Sequence, residues 1–386
     1  MAGGGPEGAV YEIGALRALE EAIEGLDFTE VDIYVGVSAG SFIAASLANG
    51  LSPTQMARAL VKHEPGEHPF VPAVFFTPAY REWARRSLML PKLVSDALWR
   101  LTTQPGDQTL LESLTRLTRA LPVGIFDNEP IRRYLERMFS IKGRTDDFRK
   151  LRHKLIVVSA DLESGRAIRF GKPGLDRVPI SRAVQASTAL PGVYPPVPID
   201  GRLCVDGVLL KTVHASVALD EGVGLLFCLN PLVPADIAAA EGAGEHLTGT
   251  LVKRGLPSVL SQTFRTLIHS RLEVGMAAYE TRYPGADVVL FEPGRDEYKM
   301  FFTNIFSFSS RRKVCQLAYE VTRKDLYRRR KALKPILARH GLRLREEILG
   351  KPRNLWRGVG LPVVEYGSTS ARQLERALEE LEEAVG

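Results

Sequence analysis

The stretch VDIYVGVSAGSF, residues 31–42, sets five mostly apolar, β-prone residues ahead of Gly-Val-Ser-Ala-Gly and a helix-like run. The pattern places the hydroxyl of Ser38 between Gly36 and Gly40, where a buried strand stops and a helix begins. Gly-x-Ser-x-Gly at such a junction is the pattern of a nucleophile elbow: the turn forces the serine into an unusual backbone conformation, and the glycines keep Cβ atoms out of a crowded corner. The hydroxyl then stands at a helix N-terminus, whose free N–H groups favour developing negative charge. A serine that only caps a glycine-flanked turn is the competing reading. The strand before it and the helix after it weigh against that reading.

Around this junction, strand and helix patterns alternate. Residues 9–26, AVYEIGALRALEEAIEGL, carry apolar residues at helical spacing up to the breaker Gly25. Residues 39–50 read as a helix ended by Gly50, and residues 51–63 as a short one with Ser52 as cap and Pro53 at its first position. Residues 64–125 are an insertion punctuated by Pro and aromatic residues, helical in pieces. HKLIVVSADLESGRAIRF (153–170) reads as a buried strand with a hairpin-like return. VPIDGRLCVDGVLL (197–210) reads as two short strands around Asp200-Gly201, a dipeptide suited to a type I′ turn. VGLLFCLNPL and GADVVLFEP supply two more strands, and a long helix follows from about Ser309 to Leu333. The alternation predicts an α/β fold, a three-layer α/β/α arrangement with a mostly parallel central sheet, a helical insertion and a helical C-terminal extension. The main domain is expected over 1–333. The extension, 334–386, should end in an amphipathic helix with Leu374, Leu378, Leu381 and Val385 on one face.

The 386 residues are 45% hydrophobic and 25% charged, ordinary for a globular protein. No apolar run approaches the ~20 residues that span a bilayer. The start MAGGGPEG lacks the basic and apolar regions of a signal peptide, and three cysteines, Cys204, Cys228 and Cys315, fit a reducing compartment, so a cytoplasmic protein is expected. The net charge is +6, and Arg311–Arg353 alone holds fifteen Lys/Arg against four Asp/Glu. That run is read first as a solvated helix face, with YRRRKALK as a secondary candidate for phosphate contacts; no recognised nucleic-acid module surrounds it, and no nucleic acid is expected.

A nucleophilic serine needs an oxyanion hole and a base. The glycine-rich GGGPEG, Gly3–Gly8, leads into a helix and supplies backbone N–H groups; Pro6 has none, which leaves Gly4 and Gly5 as the useful donors. The same letters match the dinucleotide fingerprint G-x-G-x-x-G, but that motif needs a strand just before it, and only Met1 and Ala2 precede. Among the histidines, His63, His68 and His153 lie in segments without site character. His214, His246, His269 and His340 follow the serine but sit in no glycine-bearing strand-end loop. Asp206, at the end of RLCV, is the better base, because a strand end can aim a carboxylate at the serine. Asp200 is its competitor, with a purely conformational role at a hairpin tip.

GGGPEG, GVSAG, ASTALPGVYPPV and VDG, in this order over residues 3 to 333, resemble the patatin-like phospholipase family, bacterial members above all. The resemblance implies a serine acyl hydrolase with a Ser–Asp dyad and no catalytic histidine: Ser38 as nucleophile, Asp206 as base, and Gly3, Gly4 and Gly5 as the oxyanion loop. It implies acyl-lipid substrates of the phospholipase A or lysophospholipase type, and neither cofactor nor metal. Three positions depart from the family pattern. Glu7 stands where a basic residue is usual, and is expected to point to solvent. No strand precedes the glycine loop, so either the chain is shortened relative to its natural start or another segment fills the gap. GVLLKTVHAS follows Asp206 where the family tends to another small residue and then Asn and Pro. These departures favour a rival reading, a catalytically silent protein that binds a lipid or granule surface; an acyltransferase would share the dyad. The insertion mixes Phe, Trp, Leu and Met with Arg and Lys, which suits either peripheral contact with anionic membrane or a cap over the substrate cleft.

Overall fold

The computed structural model of the chain describes all residues except 61–71, 104–117, 235, 237–249, 254, 295–307 and 364–386. His63, His68, His246 and the helix expected near the C-terminus lie outside the described residues.

Helix α1, Gly5–Ala22, is followed by β1 (Ile23–Glu24), β2 (Ile33–Val37), α2 (Ala39–Ala48) and α3 (Pro53–Ala59). Ser52 caps α3 with a full capping box: its hydroxyl accepts from the Gln55 N–H, and the Gln55 side chain accepts from the Ser52 N–H. Within the insertion, α4 (Tyr80–Ser87) and α5 (Leu90–Thr103) follow a short 3-10 turn at Pro72–Phe75. Next come α6 (Glu129–Phe139), β3 (Lys154–Asp161), β4 (Ala167–Phe170), α7 (Ile180–Ser187), β5 (Val197–Ile199) and β6 (Arg202–Asp206). The last long elements are α8 (Ala215–Leu219), β7 (Leu225–Leu229), α9 (Leu256–Arg282), β8 (Asp287–Phe291), α10 (Phe308–Arg339) and β9 (Arg343–Leu344). Helix α10 continues past residue 333 to Arg339, and Leu344, Leu355 and Trp356 pack into the same core as α1.

The sheet is mixed, not mostly parallel. β2 and β3 pair in parallel, as do β7 and β8, but β4 and β6 both run antiparallel to β3, and β5 is antiparallel to β6. The reason is local. Hairpin returns such as Asp200-Gly201, with φ of 48° and 75°, reverse the chain without a crossover helix. Strand β3 shows why the centre reads as a continuous apolar run. Leu155 and Val157 enter the core shared with α1, α2 and α10, while Ile156 and Val158 enter the opposite one, beside Val208 and Val217. Helices therefore cover both faces.

The basic C-terminal stretch is largely internal bracing. Buried Glu21 on α1 is met by Arg353 at 2.6 Å, by Arg323 at 3.5 Å and by the Tyr319 hydroxyl at 2.9 Å. Arg339 pairs with Asp287, Arg343 with Glu24, and Arg329 with Asp325. Within YRRRKALK, Arg330 and Lys334 both reach Glu346, Arg328 and Arg329 both reach Asp325, and Lys331 is exposed. Among the described residues, no helix is long and apolar enough to cross a membrane.

Candidate active site

Ser38 stands at the end of β2 with φ of 52° and ψ of −131°, a conformation a non-glycine residue adopts only when its surroundings enforce it. Two features enforce it. A Cβ at position 36 would lie 2.4 Å from the Ser41 Cα, and one at position 40 would lie 2.3 Å from the Ala2 carbonyl oxygen, so both must be glycine. In addition, the Ser38 N–H donates to the Ser187 hydroxyl at 2.8 Å, and Ser187 donates to the Val158 carbonyl at 2.6 Å. The Ser187 side chain thus ties the elbow to β3.

Asp206 reaches the same point from the opposite direction. The antiparallel register sets it across from Ser159, one residue beyond Val158, which faces Val37 on β2. Its carboxylate accepts a hydrogen bond from the Val208 N–H, at 2.9 Å to Oδ1, and lines the same cavity as Ser38. Burial pushes the Asp206 carboxyl up to about 7, against the opposing pull of the Ser38 side chain and the Val208 N–H. Asp200 sits at the hairpin tip, and neither it nor any of His153, His214, His269 and His340 lines the Ser38 pocket. His214 is held by the Gly207 carbonyl at 3.3 Å, and burial pushes it down to about 4. His153 faces Glu30, His340 faces Asp287, and His269 faces Glu273 and Glu292.

The glycine loop meets the serine directly. A Cβ on Gly3 would lie 3.0 Å from the Ser38 Cβ, and one on Gly4 would lie 2.7 Å from the Pro231 ring, so the loop is wedged between the elbow and the segment after β7. Gly5 opens α1 at φ of +62°, which suits glycine. Within the described structure the N–H groups of Gly3, Gly4 and Gly5 donate no hydrogen bond, as expected for the first turn of a helix.

Glu7 does not point to solvent. It is half-buried opposite Arg265 of α9, and burial raises its carboxyl to about 7 despite that cation. It does not line the Ser38 pocket.

Ser38 and Asp206 share a cavity of about 230 Å³ whose other walls are mainly apolar: Ala9, Phe42, Phe75, Phe76, Ile131, Val184, Leu190, Val193 and Tyr194. Phe75 and Phe76 belong to the insertion, and the Tyr194 hydroxyl donates to the Phe75 carbonyl at 2.5 Å. This part of the insertion is therefore a cap. The segment of α4 and α5 turns outward, with Tyr80, Trp83, Leu88 and Trp99 exposed. Ser187, Arg265 and Pro231 escape sequence reasoning. Only Ser187 carries a signal there, as part of ASTALPGVYPPV, and its hydroxyl is unremarkable until β3 is placed beside it. Among the described residues, no group of three or more His, Cys, Asp or Glu could hold a metal ion.

Fold and site define an α/β protein with an elbow serine beside a buried carboxylate. The chain belongs to the patatin-like phospholipase family, a family of lipid acyl hydrolases: its residues 1–219 match the family described as Patatin-like phospholipase. Among solved structures, that of VipD from Legionella pneumophila is similar at 14% identity and a TM-score of 0.35, over 84% of this chain and 65% of that one. This chain thus spans about 65% of the length of VipD.

Proposed function

We propose that the chain cleaves the carboxylic esters of lipids, in the manner of a phospholipase A or lysophospholipase, through Ser38 and Asp206. The placement of Ser38 and the buried Asp206 together in the wall of one mainly apolar pocket carries this reading. Ser38 Oγ attacks the ester carbonyl while Asp206 takes its proton. The carbonyl oxygen becomes an oxyanion facing the free N–H groups of the Gly3–Gly5 loop and the start of α1. As the tetrahedral intermediate collapses, the alcohol leaves with the proton from Asp206, and Ser38 keeps the acyl group as an ester. Water, deprotonated by Asp206, then attacks that ester, and the acid departs as Ser38 recovers its proton. An alcohol in place of water would make the same site an acyltransferase.

The apolar walls suit an acyl chain, and the outward face of α4 and α5 suits the surface that supplies it. Tyr80, Trp83, Leu88 and Trp99 are exposed beside Arg81, Arg85 and Lys92, a composition that favours peripheral contact with anionic lipid. A silent, surface-binding protein would share this face but not an activated serine. A fluorophosphonate probe separates the two: the native chain should be labelled and should hydrolyse short-chain acyl esters, and Ser38→Ala should do neither. A native chain that resists the probe would overturn the hydrolase reading.

A further inference from the structure

We propose, resting on the hydrolase reading for the substrate, that Phe42 sets the length of acyl chain the site accepts. Its ring is a partition between the Ser38 pocket and a second apolar cavity behind it, and the pocket it closes fits medium-chain esters. The second cavity, of about 40 Å³, lies among Ile13, Leu51, Met56, Leu60, Tyr134 and Met138. Among the described residues, Phe42 alone lines both.

The same three helices wall both cavities at successive turns. Residues three or four apart share one face of a helix. On α1, Ala9 lines the Ser38 pocket and Ile13 the cavity behind it. On α2, Phe42 stands one turn past Ser38 and borders both, and Ser46, a turn further, borders the second. On α6, Ile131 lines the first, and Tyr134 and Met138 line the second. The second cavity therefore continues the first away from Ser38, interrupted by one buried ring. That ring is held on two sides: Phe75 of the cap meets it edge-on at 6.5 Å between centroids, and Tyr134 stacks on it at 6.1 Å. Beyond it, polar wall groups are turned to the backbone. The Ser46 hydroxyl donates to the Phe42 carbonyl at 2.9 Å, and Arg144 Nη1 to the Met138 carbonyl at 3.4 Å. The walls left for a ligand are hydrocarbon and thioether, and the two methionines adapt to a chain end.

Size makes the partition decisive. An apolar cavity of about 150 Å³ holds one benzene ring. On that scale the Ser38 pocket, at about 230 Å³, takes on the order of nine carbons, an acyl chain of roughly C8 to C10. Removing the Phe42 ring would free the space of one further benzene ring and join the cavity behind it, room for on the order of seven carbons more. Phe42 thus stands between a site for medium-chain esters and one for long-chain esters.

The test reads binding apart from turnover. In the full chain carrying Ser38→Ala, uncharged alkyl methyl ketones of increasing length are ranked by displacement of a fluorescent dye. Affinity should rise about four-fold per methylene up to roughly nine or ten carbons and then level off. With Phe42→Ala added, the rise should continue for about seven carbons more. With Phe42→Leu, which keeps more of the core filled, it should continue part of that way. Met56→Ala enlarges only the cavity behind the ring and should leave the break unmoved. In chains that keep Ser38, kcat/KM over a series of p-nitrophenyl esters should break at the same lengths. A chain with Phe42 in place and no break near ten carbons would overturn the proposal. So would a break that neither Phe42 variant moves, or that Met56→Ala moves as far. Absent turnover at every length, with the break in ketone binding intact, would count against the hydrolase reading and leave the partition standing.

Discussion

If Asp206 is the base, the pH dependence of turnover should carry the mark of its burial. An ordinary aspartate, with a pKa near 3.9, is fully ionised at pH 6, and its enzyme would show a flat profile from there upward. Burial holds Asp206 near about 7, so that close to one-tenth of it is ionised at pH 6 and nine-tenths at pH 8. The ratio sets the size of the effect: kcat/KM should rise about ten-fold between pH 6 and pH 8, with one proton lost. Substrate filling the apolar pocket removes more water from the carboxylate, so the profile of kcat should lie at higher pH than that of kcat/KM. The assay is initial-rate titration of a soluble short-chain ester in a pH-stat, at saturating and at limiting concentration. Asp206→Asn, which keeps an acceptor for the Val208 N–H but cannot take the proton, should cost roughly 10²–10⁴-fold. Asp200→Asn and alanine at His214, His246, His269 or His340 should leave much of the rate. A profile flat from pH 6 upward would refute the assignment.

Three further outcomes follow from the site's surroundings. Ser187→Ala leaves the Ser38 N–H and the Val158 carbonyl without their shared partner; at about 1–3 kcal/mol for each unsatisfied buried group, Tm should fall and fluorophosphonate labelling of Ser38 should slow, and unchanged labelling would show that the elbow holds itself. Glu7→Lys should not speed turnover but lower stability, since it sets a second cation against Arg265; the pair Glu7→Lys with Arg265→Glu should recover most of the loss in thermal melts. Glu12, fully buried with Ala2 N–H on one oxygen, is raised by burial to about 8, so the stability it allows is full below its unfolded pKa and is lost as pH rises through the folded one. Denaturant titrations from pH 5 to pH 9 should show that decline, and Glu12→Gln should flatten it.

The elements around Ser38 were legible in the sequence because each is defined locally. Gly36 and Gly40 mark the elbow, Ser52-Pro53 a helix start, and Asp200-Gly201 a reversal whose positive φ values need no distant partner. The order of four short motifs was enough for the family. The strand pattern gave no sign that the sheet is mixed, because an apolar run buried on both faces looks alike whichever way its neighbours point, and only pairing gives β6 its direction along β3. Side-chain partners were hidden for a related reason. Ser187 lies 149 residues from Ser38, Arg265 lies on a helix far along the chain from Glu7, and the acids that absorb the C-terminal arginines are scattered from Glu21 to Glu346. Sequence determined which residue types stand at which local turns. Tertiary structure alone decided how far burial shifts the Asp206 carboxyl, because that depends on how much water the packed chain leaves around it.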